Sequence, residues 1–173
     1  MAHPNHEALF RAIQEEAKNR QKRFREAGLP KIHIGLATCG IASGALETKK
    51  AFEEVLAEEN LPARIHTVGC LGHCYAEPVV IVENAGFPPI LYYNVTPGKA
   101  GMIVKSFLRD GDPLFEHLLG ATEENELIPQ VMDFPRFSRE KRVVTEKSGL
   151  IDPENIYEYV AHGGYETLSA SLS

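Results

Sequence analysis

The sequence lacks the features that define several classes of protein. It has no Trp and only three Cys among 173 residues, an odd number that is too small for a disulfide framework. No apolar run approaches the ~20 residues that cross a bilayer, which excludes membrane insertion. The first residues show no charged and then apolar leader, so the sequence predicts a cytoplasmic protein. Neither Gly-x-Gly-x-x-Gly nor a P-loop occurs, which removes the usual nucleotide-binding motifs.

The composition is that of a folded globular chain with an excess of acidic residues. Hydrophobic residues make up 43% and charged residues 24%, a balance that supports a packed core. There are 18 Lys and Arg against 24 Asp and Glu, which gives a net charge of -6. Nucleic-acid binding favours a basic surface, so this charge predicts that the partners are not nucleic acids.

Strand and helix patterns follow one another in an order typical of a small α/β sandwich. An N-terminal helix is predicted over residues 7–25, and the later segments are strands at 31–37, 64–68, 79–82 and 90–95 with helices at 41–59 and 97–109. The helix between the first two strands predicts a parallel pair, and the short turn between the last two predicts a hairpin. The expected fold class is α/β, with a thioredoxin-like four-stranded mixed sheet and flanking helices.

The chain changes character after Gly120. Residues 121–147 are polar, charged and weakly periodic, which predicts an extended connector. A helix is expected to begin at Asp152-Pro153, and a last short helix to run over residues 165–172. We therefore expect three parts: an N-terminal helix in residues 1–30, a thioredoxin-like domain in 31–120, and a connector with a C-terminal helical segment in 121–173.

The N-terminal helix carries a basic face near its end. Its cations are Lys18, Arg20, Lys22, Arg23 and Arg25. They lie where the helix dipole favours positive charge, so a solvated helix end accounts for them. The alternative is a docking surface for an acidic partner.

The three cysteines follow the first two predicted strands with the spacing Cys-x30-Cys-x3-Cys. Cys39 comes after the first strand, and Cys70 and Cys74 come after the second. Neighbouring parallel strands end at the same edge of a sheet, so the three sulfurs are expected to lie close together. Glycines at positions 35, 40, 69 and 72 let backbone N–H groups approach sulfur, as they do around iron–sulfur clusters. We therefore expect the thiols of Cys39, Cys70 and Cys74 to share one pocket at this edge.

Two blocks of sequence carry a resemblance to a known family. The first comprises residues 38–45 (TCGIASGA), 69–74 (GCLGHC) with Glu77-Pro78, and 93–97 (YNVTP); the second comprises residues 149–154 (GLIDPE), 158–159 and 163–165. From about residue 31 onward the chain resembles the thioredoxin-like 2Fe–2S ferredoxin domain that begins the flavoprotein subunit of bacterial complex I and of related NAD-linked hydrogenases and formate dehydrogenases. The resemblance implies a 2Fe–2S cluster on Cys39, Cys70 and Cys74, electron transfer, and partners among the other subunits of an NADH-linked oxidoreductase complex.

The chain departs from that family in two places. The family has Cys-x4-Cys before the later Cys-x3-Cys, but here Ile34 stands at the first position, so a fourth ligand is missing. His33 and His73 are nearby imidazoles, which can replace thiolates on iron. The glycine-rich segment that would hold flavin and nicotinamide is also absent. We therefore expect no FMN or NAD site here, and a chain that is not catalytic by itself.

Other interpretations of the cysteines stay open. They could be small buried hydrophobic residues, a thiol–disulfide pair between Cys70 and Cys74, or a zinc site completed by His73. A cluster-free docking domain that holds subunits together is the alternative function. The thioredoxin-like fold also leads us to expect a cis peptide before Pro78.

Overall fold

A computed structural model describes residues 6–25, 28–135 and 137–172. The first five residues, whose sequence predicts no secretory leader, lie outside the described residues, as does the side chain of Arg25. The chain forms two compact units. One unit runs from Leu29 to Leu150, and the other combines the N-terminal helix with the segment that begins at Ile151.

The elements of the larger unit follow the predicted order with one addition. Its five strands are β1 (Lys31–Gly35), β2 (Arg64–Val68), β3 (Val80–Glu83), β4 (Ile90–Tyr92) and β5 (Leu118–Ala121). Its α-helices are α2 (Thr38–Ala42), α3 (Ala45–Glu58) and α4 (Pro97–Ile103), and α4 continues as a π-helical turn over Val104–Arg109. The smaller unit contains α1 (His6–Arg25), α5 (Ile156–Ala161) and α6 (Glu166–Ser171).

The sheet has the order β2-β1-β3-β4-β5. β1 and β2 are parallel and pair from Lys31↔Arg64 to Gly35↔Val68, as the crossover predicted. β3 is antiparallel to β1, and β3 and β4 form the expected hairpin. The α/β, thioredoxin-like fold is therefore confirmed, and so is the cis peptide between Glu77 and Pro78.

Within the described part of the chain the sheet has five strands, so the prediction of four was wrong. β5 pairs antiparallel with β4 and forms the edge. It has only four residues and contains Gly120, a residue that weakens strand patterns. A Cβ at Gly120 would lie 2.8 Å from the carbonyl oxygen of Pro129. The glycine therefore marks a close approach of two backbone segments, which local periodicity does not reveal.

Hydrophobic clusters cover both faces of the sheet in this unit. Side chains from alternate positions of β1, including Ile32 and Ile34, are fully buried with Phe52 and Phe107 against α3 and α4. The opposite face buries a second cluster, made of Val68, Leu71, Ala76, Val79, Leu91, Val131 and Phe137. Val131 and Phe137 belong to the predicted connector, so part of that segment is packed on the sheet.

The helix predicted over residues 41–59 is divided in two. α2 ends before Gly44, whose φ of 94° lies in the left-handed region, and α3 begins at the next residue. Glycine adopts this conformation at little cost, so Gly44 allows the chain to turn between the helices. The start of α4 matches the prediction, with the Thr96 side chain accepting a hydrogen bond from the Lys99 N–H.

The smaller unit is built on contacts between α1 and the C-terminal helices. Ala17 of α1 is almost completely buried, and α1 packs along α5. Arg20 contributes to the basic face predicted from sequence, but its guanidinium lies 3.7 Å from the Tyr157 ring centroid and it also bonds to Glu16. This cation is therefore engaged within its own unit. Among the described residues no helix is long and apolar enough to cross a membrane.

Candidate metal centre

The carboxyl ends of the two parallel strands bring the cysteine loops to one edge of the sheet. Gly35 and Val68 are paired at the ends of β1 and β2, and the Leu36 N–H donates to the Val68 carbonyl at 3.0 Å. Cys39 lies in the first turn of α2, four residues beyond β1, and Cys70 lies two residues beyond β2. Both loops leave the same edge, as the spacing of the sequence predicted.

Cys70 and Cys74 form a close pair of thiols. Their sulfurs are 3.6 Å apart, and the Gly72 N–H donates to the Cys70 sulfur at 3.3 Å. Gly72 has a φ of 88°, so the turn that aims this N–H needs a residue free to adopt the left-handed region. Burial raises the pKa of the Cys70 thiol, and the Gly72 hydrogen bond works in the opposite direction.

The exposure of the cysteines argues against a packing role. Cys39 and Cys74 are exposed and Cys70 is half-buried, and all three are free thiols. Cysteines retained as small hydrophobic residues would be buried in a core. The interpretation as buried hydrophobic side chains is therefore wrong for Cys39 and Cys74.

The pair fits one tetrahedral metal ion. Two sulfurs bound at ~2.3 Å to such an ion lie about 3.8 Å apart, close to the separation of Cys70 and Cys74. In the described ranges, however, no group of three or more His, Cys, Asp or Glu side chains converges on one point. Ile34, at the missing ligand position, is fully buried in the hydrophobic core. Among the described residues, Cys70 and Cys74 thus form a pair of thiols at the edge where the Cys39 loop also emerges, and the expected convergence of all three sulfurs is not seen.

The two histidines considered as a fourth ligand have other contacts. His33 Nδ1 lies 3.0 Å from His66 Nδ1, and His33 Nε2 lies 2.7 Å from Glu83 Oε1, so both of its ring nitrogens are engaged. His73 is buried, and its ring centroid lies 4.2 Å from that of Phe137. His33 thus joins three strands of the sheet, and His73, within the turn between Cys70 and Cys74, packs against Phe137.

Glu77 was not singled out as a site residue from the sequence. The residue is 7% exposed, and its Oε2 accepts a hydrogen bond from the Val79 N–H at 2.9 Å. Among the described residues, Oε1 is buried with no hydrogen-bond partner. The carboxyl group lies against Gly35 and Gly40, where added Cβ atoms would be 3.6 Å and 3.2 Å from its oxygens. Burial raises the pKa of Glu77.

The connector reaches the turn between Cys70 and Cys74. A guanidinium nitrogen of Arg142 donates to the Leu71 carbonyl at 3.0 Å, and a Cβ at Gly149 would lie 2.7 Å from the Leu71 side chain. The Phe137 ring, from the same segment, contacts His73 at an interplanar angle of 55°. The turn is therefore supported from one side by residues distant in sequence.

Comparison with known proteins identifies relatives of this chain. No family model matches. The chain is 30% identical over 84 residues to the NADP-reducing hydrogenase subunit HndB of Solidesulfovibrio fructosivorans. The aligned residues make up 48% of this chain and 67% of HndB. The chain belongs to the family of this hydrogenase subunit.

Solved structures similar to the chain are also known. Two structures of a thioredoxin-like [2Fe-2S] ferredoxin from Aquifex aeolicus align at 20% and 21% identity with TM-scores of 0.46 and 0.48. They cover 53% and 56% of this chain and 96% and 94% of the ferredoxin. The similarity to HndB identifies the family of this chain, and the strand order described above identifies its fold.

Proposed function

We propose that this chain is an electron-transfer subunit of an NAD(P)-linked oxidoreductase complex. The observation that carries the proposal is the accessible pair of Cys70 and Cys74, held 3.6 Å apart in a turn with an N–H aimed at sulfur. The relationship to HndB, a subunit of an NADP-reducing hydrogenase, supports the proposal that this chain works within such a multi-subunit complex. Thiols that served only packing would not need this exposure or this spacing.

In this proposal Cys39, Cys70 and Cys74 bind a 2Fe–2S cluster. These three thiolates would hold the irons together with a fourth protein ligand, and the group would supply one-electron transfer. The Gly72 N–H reduces the negative charge on the Cys70 sulfur, which favours the reduced state.

The partners in this proposal are the other subunits of the complex. Flavin and nicotinamide chemistry belongs to those subunits, because this sequence contains no Gly-x-Gly-x-x-Gly or P-loop. The sequence resemblance favours NADH as the nucleotide, whereas HndB is named for NADP. We expect the complex to work in the cytoplasm.

Anaerobic purification of the full chain tests the cluster. We expect a coloured protein with broad absorbance between about 400 and 600 nm, and iron and acid-labile sulfide in equal amounts. Reduction with dithionite should bleach these bands and give the electron paramagnetic resonance signal of a one-electron-reduced cluster. A colourless protein without iron or sulfide, also after reconstitution with ferrous iron and sulfide, would contradict this function.

A cluster-free docking subunit is the second candidate. It is favoured by the burial of Ile34 at the missing ligand position and by the incomplete convergence of ligands among the described residues. Replacing Cys39, Cys70 and Cys74 together by Ser separates the two. A docking subunit should still copurify with its partner subunits, and electron transfer through the purified complex should be unchanged.

A further inference from the structure

We propose that Cys70 and Cys74 form a reversible thiol–disulfide pair, a modification site for small disulfide oxidants such as oxidised glutathione. The inference goes beyond the proposed function, because it concerns the two thiols when nothing is bound to them. Oxidation joins the two sulfurs within one chain and leaves Cys39 as a free thiol. The pair thereby responds to the thiol–disulfide balance around the protein.

The first argument is the distance between the two sulfurs. Those of Cys70 and Cys74 are 3.6 Å apart, and both belong to free thiols. A disulfide bond holds its sulfurs about 2.05 Å apart, so a gap of roughly 1.5 Å has to close. Residues 69–73 lie outside helices and strands. The turn can therefore adjust without breaking a regular element.

The second argument is the difference in access between the two thiols. Cys74 is exposed, so a small oxidant reaches its sulfur from solvent, whereas Cys70 is half-buried. The Gly72 N–H donates to the Cys70 sulfur at 3.3 Å and holds it beside Cys74. Cys74 is therefore the thiol that meets the oxidant, and Cys70 is the neighbour that completes the bond.

The surroundings of the pair favour two-sulfur chemistry. Over residues 6–25, 28–135 and 137–172, no group of three or more Cys, His or acidic side chains converges on one point. Redox-sensitive cysteines are accessible and often lie next to a second cysteine that resolves the oxidised form. The pair has both properties. Disulfides in reducing compartments are usually transient and redox-sensing, so we expect this one to be reversible.

The reaction exchanges one disulfide for another. The Cys74 thiolate attacks oxidised glutathione, forms a mixed disulfide with one half and releases the other half as a thiol. The Cys70 thiolate then attacks the Cys74 sulfur, and the second glutathione leaves. The two protein thiols lose two electrons and two protons, which the two glutathione thiols gain. An excess of reduced glutathione drives the same steps in reverse.

The test treats the full chain, freed of iron by a chelator, with increasing ratios of oxidised to reduced glutathione. Free thiols are then blocked with N-ethylmaleimide, and tryptic peptides are analysed by mass spectrometry. Cys70 and Cys74 share the peptide 65–99, and Cys39 lies in the peptide 32–49. We expect the first peptide to lose both labels together and to weigh two hydrogens less than its reduced form, while Cys39 stays available for labelling. Dithiothreitol should restore both labels.

Cys39→Ser is the matched control, since it removes the cysteine outside the pair and should keep the disulfide. Cys70→Ser should instead accumulate a glutathione adduct on Cys74, because the resolving sulfur is missing. Melting temperatures report on the folding of both variants, and the labelling of the wild type decides the question if a variant does not fold.

Glutathione adducts on both cysteines of the wild type would overturn the proposal, as would a disulfide from either of them to Cys39 or to a second chain. The outcome is separable from that of the proposed function. A chain that forms the disulfide but never binds iron or sulfide keeps the thiol–disulfide pair and loses the electron-transfer function. A chain that binds the cluster but does not form the disulfide gives the opposite result.

Discussion

Arg142 and Leu71 join two parts of the chain that are 71 residues apart in sequence. The guanidinium of Arg142 donates to the Leu71 carbonyl at 3.0 Å, directly between Cys70 and Cys74. The arginine side chain is 20% exposed and also lies 3.3 Å from Glu140. The connector thereby holds the turn that carries the thiol pair.

Arg142→Ala should loosen this turn. We expect a loss of about 1–2 kcal/mol in the free energy of unfolding, because a hydrogen bond from a charged donor is removed and a buried carbonyl is left without it. The thiols of Cys70 and Cys74 should react faster with iodoacetamide, and amides of the turn should exchange faster with deuterium. Arg139→Ala, a change of the same kind at an exposed neighbour, should alter none of these. Equal labelling rates in both variants would show that the connector does not support the turn.

Cys70→Ser should remove the cluster, because serine oxygen is a weaker ligand for iron than thiolate. We expect loss of the absorbance between about 400 and 600 nm and of bound iron. Tyr75→Phe is the control, since Tyr75 is an exposed residue next to Cys74 and provides no sulfur. If Cys70→Ser retained full colour, Cys70 would not be a ligand. If neither the wild type nor Cys70→Ser contained iron, and the variant only lost about 1 kcal/mol of stability, Cys70 would have a packing role.

Glu83 should stabilise the sheet above acidic pH. The His33 hydrogen bond, and then Lys31, lower the pKa of Glu83 from 4.5 to about 2. A carboxyl with a lowered pKa stabilises the folded state fully above its unfolded pKa, and this stabilisation is lost as pH falls from about 4.5 to 2. Because the Glu83 side chain is 34% exposed, we expect about 1–2 kcal/mol rather than the full value of the shift.

The measurement for Glu83 is urea unfolding of the wild type and Glu83→Gln at several pH values. The difference in unfolding free energy should be largest at pH 6–7 and should disappear near pH 2. Glu53→Gln, in an exposed ion pair on α3, should show a much smaller difference. A difference for Glu83→Gln that does not change with pH would contradict the assigned ion pairs.

Gly40→Ala should disturb the Cys39 turn. A Cβ at Gly40 would lie 2.2 Å from the Gly35 carbonyl oxygen, a backbone atom that cannot move without shifting the end of β1. We expect a loss of about 2–3 kcal/mol and a lower melting temperature. Gly98→Ala in α4 is the control, since the nearest atom would be 3.9 Å away and alanine favours a helix. Gly98→Ala should therefore raise the melting temperature slightly, and equal effects at both positions would contradict the close approach.

Local patterns in the sequence were sufficient for much of the sheet. The apolar strands, the helical crossover and the short turn before β4 predicted the parallel pair, the hairpin and the edge at which the cysteines lie. The left-handed Gly44 and the glycine-containing β5 were missed, because a single glycine carries no periodic signal. The burial of Glu77 was not predicted from the sequence either, because it depends on contacts with Gly35 and Gly40 that form only on folding.

The packing of α1 on the C-terminal helices also had no local signal in the sequence. Gln21 and His162 meet although 141 residues separate them. During synthesis at about 5–20 residues per second, α1 must wait roughly 7 to 30 s for its neighbours to leave the ribosome. The amphipathic surface of this helix is thus available to chaperones until residues 156–171 have been synthesised.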